Sequence, residues 1–219
     1  NIIIAVMSGN FLQRGEPALV DKWTRSKMAV AAGVDLVIEL PYAFATAQAS
    51  DFAKGAIFLL DALKCHSFCF GSEEGSLEAF QETYNLLLTK KDEYNTAIAS
   101  YMKKGISYPK ALNEAYNEIS EATTVRLVDL SKPNNILGYH YIQAANHLNS
   151  DIKPETIQRV VANYHDDALK TETIASATGI RKLLFEGQKL SEVNAFMPST
   201  SLLGLTEWES NNKSFGSWE

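Results

Sequence analysis

The sequence predicts an α/β fold with a parallel sheet, and three observations carry that reading. A continuous apolar run, Ile2-Ile3-Ile4-Ala5-Val6-Met7, breaks at Ser8-Gly9-Asn10. A second run, Leu36-Val37-Ile38-Glu39-Leu40, follows after one helix-length segment. Two further strand candidates, Ser67–Phe70 and Thr156–Val161, each come after helical stretches. Apolar runs rich in β-branched residues and separated by helices read as buried parallel strands in βαβ units. Ligands of such sheets bind outside the carboxyl ends of the strands, so Ser8, Gly9 and Asn10 mark the first place to expect a substrate.

Composition narrows the class. At 219 residues and 46% hydrophobic, the chain can bury one large core with a smaller appendage. No apolar run approaches the length of a membrane span and no signal-peptide pattern opens the sequence, so a cytoplasmic protein is expected. The formal charge of -6 argues against a broadly basic nucleic-acid surface, though not against a local basic patch. Cys65 and Cys69 lie in CHSFC, too few for a metal site and poorly spaced for a disulfide along one strand; they read as reduced core thiols. The sequence opens at Asn1, at the edge of a strand, which is expected of a fragment or of a chain whose first segment lies upstream.

Taken in order, Phe11 to Pro17 is a loop punctuated by Gly15 and Pro17. Asp21 can cap a helix running from Lys22 to Ala32, with Gly33 as its C′ residue. Lys22 and Arg25 share a face of that helix and, with Arg14, lie near the first strand-end loop. These cations fit either a solvated face or a phosphate-facing role. Ala49–Leu63 is a helix with Phe52, Ala56, Leu59 and Leu63 at core spacing. The third strand ends in Gly71, which either lets a ligand approach the backbone or simply turns the chain. Residues 76–120 are helical, with stripes Leu77, Phe80, Tyr84, Leu87; Tyr94, Ile98, Tyr101; and Leu112, Ala115, Tyr116, Ile119.

Pro133 suits a helix start, with Leu137, Tyr141, Ala144 and Leu148 as the expected buried stripe. Asn134 and Asn135 then sit at its N-terminus, one to cap and one free to read a base edge. The last strand candidate is followed by Tyr164-His165-Asp166-Asp167 at its carboxyl end. Ser176 can cap a helix with Ile180, Leu183 and Leu184 on its buried face and Gly187 at its end. Ser176, Thr178 and Arg181 in its first turns, with free amides and a positive dipole, form a ready anion site. Beyond Pro198 the sequence turns polar and loses periodicity.

The helix start Ser176-Ala-Thr-Gly-Ile-Arg181, with Pro133-Asn-Asn-Ile-Leu-Gly138 upstream, resembles the HIGH-type nucleotidyltransferase superfamily. AVMSGNFLQRGEPALVDKWTRSKMA, GVDLVIELP, FGSE, KPNNILGYHY and IASATGIRK together look like the bacterial tRNA(Met) cytidine acetate ligase family, over nearly the whole chain. The resemblance implies a Rossmann-like nucleotidyltransferase fold with an inserted helical region. It implies activation of acetate by ATP, with Mg²⁺, to acetyl-adenylate and pyrophosphate, then acetylation of the wobble cytidine of elongator tRNA(Met). It further implies that Gly71, one of Asn134 and Asn135, and Arg159 with Val160 contact ATP, while Ser176, Thr178 and Arg181 grip its phosphates. Arg14, Lys22 or Arg25 would hold acetate or the tRNA backbone. The family's His-x-Gly-His turn has no counterpart here, so no catalytic residue is assigned, and a strand bearing that turn is expected upstream of Asn1.

These expectations give a catalytic domain over residues 1–198, a helical region near 76–120, and the start of a C-terminal region over 199–219. Two other readings share parts of the pattern. A related adenylyltransferase making a dinucleotide cofactor would keep the phosphate grip but lack the SGNFLQRGEP loop. A non-catalytic nucleotide-binding module would bind ATP without acetate-dependent pyrophosphate release.

Overall fold

Among the described residues, two pairs of parallel strands organise the chain, one pair in each of two units. The computed structural model describes residues 1–121, 123–159, 177–211 and 214–217. One unit comprises Asn1–Ala56 and Val160–Glu219, the other Ile57–Arg159.

In the first unit β1 (Ile4–Ser8), α1 (Lys22–Ala31) and β2 (Leu36–Leu40) form the expected βαβ element. The strands pair in register from Ile4 opposite Leu36 to Ser8 opposite Leu40. They are less buried than the sequence suggests: all of β1 is half-buried, and Ile3 and Leu36 are exposed. Among the described residues each of these strands has a single paired neighbour, and the apolar surface beside the pair stays accessible. The connection from β1 to α1 closes on itself through a bridge between Phe11 and Pro17. Gly15 sits at φ +78° there, where a side chain would be strained, and donates to the Leu12 carbonyl at 2.8 Å. Asp21 caps α1 as predicted, its Oδ1 accepting from Thr24 N at 2.7 Å. A short helix α2 (Tyr42–Ala45) precedes α3 (Ala49–Ala62). The buried side of α3 is Ala53, Ala56 and Ile57; Leu63, expected in the core, is exposed.

In the second unit β3 (Ser67–Ser72) pairs in parallel with β4 (Lys153–Gln158). Along β3 burial alternates strictly: Phe68, Phe70 and Ser72 are buried, while Ser67, Cys69 and Gly71 are exposed. Cys69 is therefore no core thiol. Partial desolvation of its sulfur, with the Glu155 carboxylate nearby, nevertheless pushes its pKa up. Strand β4 begins three residues before the predicted Thr156, so it contains Pro154. Lys153 N donates to His66 O and Arg159 N to Ser72 O, an even number of residues apart. That phase puts the N–H that Pro154 lacks on the side away from β3, where a proline is tolerated. Val160 and Val161, read as the end of this strand, lie outside the described residues.

The helices of the second unit fall where the stripes predict: α4 (Leu77–Thr89), α5 (Lys91–Lys103) and α6 (Tyr108–Ser120). Phe80, Leu87, Tyr116 and Ile119 join Phe68 and Phe70 in one core. Helix α7 (Pro133–His147) packs on β3 with a face wider than the one predicted, and Tyr141, Ala144 and Leu148 of the predicted stripe take part in it. Its buried residues are Asn135, Gly138, Tyr139, Ile142, Ala144 and Ala145; Leu137, Tyr141 and Leu148 are half-buried. Gly138 explains the extension. A Cβ there would lie 2.9 Å from Phe80 Cε1, so only a glycine at this position lets the helix come this close to Phe70 and Phe80. Phe70 and Phe80 meet edge to face with centroids 5.2 Å apart.

The chain then returns to the first unit with α8 (Ala177–Phe185), α9 (Leu190–Val193), a 3₁₀ turn over Asn194–Phe196 and α10 (Ser199–Ser210). The stretch after Pro198, without periodicity in the sequence, is thus largely helical. Leu184, Leu190, Val193 and Leu205 form a second core with Val20, and Met28 of α1 packs against it.

Candidate functional site

The first unit gathers its polar groups at the carboxyl ends of β1 and β2. Arg25 of α1 reaches back to the loop after β1, its Nη1 donating to Ser8 O at 2.8 Å and Gly9 O at 2.6 Å. Burial lowers its pKa from the ordinary arginine value, yet a guanidinium stays charged at any physiological pH. The structure gives Arg25 a bracing role in which it fixes the loop to the helix. Asn10 does the same from the other side, its Oδ1 accepting from Lys22 N at 2.9 Å. Lys22 turns its ammonium to Glu39 Oε2 at 2.6 Å and lies 5.3 Å from the Trp23 ring. Gly9 makes room for that pair, because a Cβ on Gly9 would collide with the Glu39 carboxylate. A cavity of about 230 Å³ is left among Ser8, Lys22, Trp23, Val37 and Glu39. Arg14 stands exposed in the loop.

In the same unit Thr178 and Arg181 occupy the start of α8, with Thr178 exposed. Arg181 is not free at the helix surface as its spacing suggested. Its Nη2 lies 3.4 Å from Glu16 Oε2 and donates to Pro17 O at 3.1 Å, and the guanidinium sits 5.8 Å from the Phe185 ring. The expected capping residue, Ser176, lies outside the described residues, as do His165, Asp166 and Asp167.

The second unit carries a separate polar group at the carboxyl end of β3. Gly71 is exposed, and a Cβ on it would lie 3.3 Å from Arg159 Cγ, so the Arg159 side chain passes over the Gly71 backbone. Glu73, in the loop that follows, caps α7. Its Oε1 accepts from Asn134 Nδ2 at 2.7 Å and its Oε2 from Asn135 N at 2.9 Å, a carboxylate at a helix N-terminus. Asn135 is 2% exposed, with Oδ1 accepting from Glu74 N and Nδ2 donating to Asp129 O. Its amide therefore holds the loop to the helix and is not the side chain available to a ligand. Asn134, half-buried beside Glu73, is the member of the pair nearer the surface. Sequence reasoning passed over Glu16, Glu39 and Glu73. A charged residue inside the apolar run LVIEL was the one signal that could have drawn notice to Glu39.

Among the described residues no three His, Cys, Asp or Glu side chains gather to hold a metal ion. The two groups share a chemistry suited to an anionic substrate: guanidinium groups and a glycine backbone at strand ends, with helix N-termini nearby. A family model described as HIGH Nucleotidyl Transferase matches residues 1–219. The chain belongs to that family.

Its curated relatives include a tRNA(Met) cytidine acetate ligase of Lysinibacillus sphaericus (strain C3-41), 54% identical over 219 residues. That match covers 100% of this chain and 54% of the relative. The protein of the same name from Bacillus cereus (strain AH820) is 46% identical over 220 residues, covering 100% of this chain and 56% of the relative. Among solved structures, Thermotoga maritima TmcAL bound with alpha-thio ATP has a TM-score of 0.85 at 37% identity, covering 98% of this chain and 50% of that one. The apo form of the same protein has a TM-score of 0.86 at 38% identity, covering 97% and 51%. This chain thus spans about half the length of the curated relatives it matches. The resemblance drawn from the sequence blocks holds, and the Rossmann-like nucleotidyltransferase class with it.

Proposed function

We propose that this chain acts in the ATP-dependent activation of acetate to acetyl-adenylate, and in transfer of the acetyl group to the wobble cytidine of elongator tRNA(Met). The observation that carries the reading is the 54% identity along the whole chain to a protein named tRNA(Met) cytidine acetate ligase. The neighbour bound with alpha-thio ATP supports an ATP site. In this reading Gly71, Asn134 and Arg159, with Val160, hold adenine and ribose, and Asn135 and Glu73 keep the loop in place. Ser176, Thr178 and Arg181 hold the phosphates. Mg²⁺ would enter with ATP and would help to neutralise the charge of its phosphates. Adenylation asks little covalent work of the protein: the α-phosphate must be held in line with the acetate carboxylate and its developing charge neutralised. No helix of the described residues is long and apolar enough to cross a membrane, and a cytoplasmic setting belongs to the same proposal.

The test combines pyrophosphate release with mass analysis of products. Acetate-dependent release from ATP, with one acetyl group added to cytidine of tRNA(Met), is the expected result. A dinucleotide product would identify the related adenylyltransferase instead, and ATP binding without release would leave a nucleotide-binding module.

A further inference from the structure

The cavity at the ends of β1 and β2 has no part in the nucleotide contacts above, and its composition is unusual for a surface cleft. Glu39 is the one charged residue in the run LVIEL, and Gly9 is required for its carboxylate to fit. An ion pair as exposed as Lys22–Glu39, with side chains 32% and 47% accessible, adds little to folding. Trp23, 69% exposed, lines the same cavity. Folding alone explains none of these three choices.

Resting on the ligase reading, we infer that this cavity receives the target base, with Glu39 and Lys22 reading the Watson–Crick edge of cytosine and Trp23 supplying a stacking surface. Cytosine presents an N4 amino donor beside the N3 acceptor. A carboxylate beside an ammonium offers the complementary acceptor and donor. The 2.6 Å separation of Lys22 Nζ and Glu39 Oε2 sets both groups within reach of adjacent ring positions. Uracil presents O4 where cytosine has N4, so its carbonyl would face the carboxylate and leave both acceptors unpaired. A volume of about 230 Å³ suits one pyrimidine ring. An unstacked base in a single-stranded loop is the form in which RNA is read this way, against an aromatic face. The tryptophan is sequence-tolerant, and the ion pair supplies the choice of base.

The test is a titration without ATP or acetate, so its outcome is independent of ligase activity. RNA hairpins carrying the anticodon loop, identical except for cytidine or uridine at the wobble position, are titrated against the full chain. The cytidine hairpin should bind at least about tenfold more tightly, the size of one good base contact. Glu39→Gln, checked for folding by circular dichroism, should bring the two affinities to within about twofold, since a carboxamide can donate to O4 as well as accept from N4. Trp23→Leu should weaken both hairpins alike, by about tenfold. A hairpin with N4,N4-dimethylcytidine, which has no N4–H, needs no protein variant and should bind like the uridine form. Equal affinity of the unmodified hairpins overturns the proposal, as does a preference that survives Glu39→Gln or N4 dimethylation. Equal weakening of both hairpins by Glu39→Gln would mean that the cavity holds the backbone, and would overturn it too. Loss of acetate-dependent pyrophosphate release with base discrimination intact would sink the ligase reading and leave this site standing.

Discussion

Arg181 joins two demands at the residue scale. It braces the loop after β1 through Glu16 and Pro17, and in the proposed function it reaches an ATP phosphate. An exposed ion pair is worth about 0–1 kcal/mol and a hydrogen bond to a charged group about 1.5–3 kcal/mol. With its side chain 18% accessible, Arg181→Ala should lower stability by about 1–2 kcal/mol. That corresponds to a Tm fall of about 2–8 °C for a chain of this size. Acetyl-adenylate formation should slow by about one to two orders of magnitude, since 1.4 kcal/mol is tenfold. A lowered Tm with pyrophosphate release intact would restrict Arg181 to bracing. Local chemistry was legible here: Asp21 as a cap and Gly33 at φ +108° follow from residue type alone. The partners were not. Glu16 meets Arg181 across 165 positions of sequence, and nothing in either segment's periodicity records that distance.

Helix α7 shows what decides packing at the scale of an element. Its apolar residues suggested a face through Leu137, Tyr141, Ala144 and Leu148; Ala144 is buried and Tyr141 and Leu148 pack against the core, but the most buried side also takes in Asn135, Gly138, Tyr139 and Ile142. A hydropathy pattern treats Asn as outward and Gly as neutral. Here the Asn135 amide is satisfied on both sides, and the absence of a side chain at Gly138 admits Phe70 and Phe80. Gly138→Ala therefore sets two effects against each other. Helix propensity favours alanine by about 1 kcal/mol, while an overpacked core costs about 1–3 kcal/mol. The nearest ring atoms belong to buried aromatics with little room to move, so a net loss of about 1–2 kcal/mol is expected in denaturant titration. A stabilised variant would show that α7 can slide off β3. The strands of βαβ type and the helices over 77–120 were legible because their periods are unbroken. The start of β4 was missed because Pro154 reads as a breaker unless the phase of its hydrogen bonds is known.

On the scale of the whole molecule, the alternation of apolar runs with helices was enough for the α/β class, and the blocks SGNFLQRGEP and SATGIR were enough for the family. The parallel pairing of β1 with β2 was legible as a βαβ unit, whereas that of β3 with β4, whose strands are separated by α4 to α7, follows from long-range register that no local stretch encodes. The proposed ATP site puts adenine and ribose on the exposed end of β3, where Gly71 leaves its backbone open beneath Arg159. Valine at Gly71 would displace the Arg159 side chain, whose flexible stem can give way, and so would close the site without disturbing the core. The most direct test is calorimetric titration of ATP into the wild-type chain and into Gly71→Val, with both shown to be folded. Binding to the wild type and its loss, by at least about tenfold, in the variant is the predicted result. Unchanged ATP affinity in a folded Gly71→Val chain would contradict it.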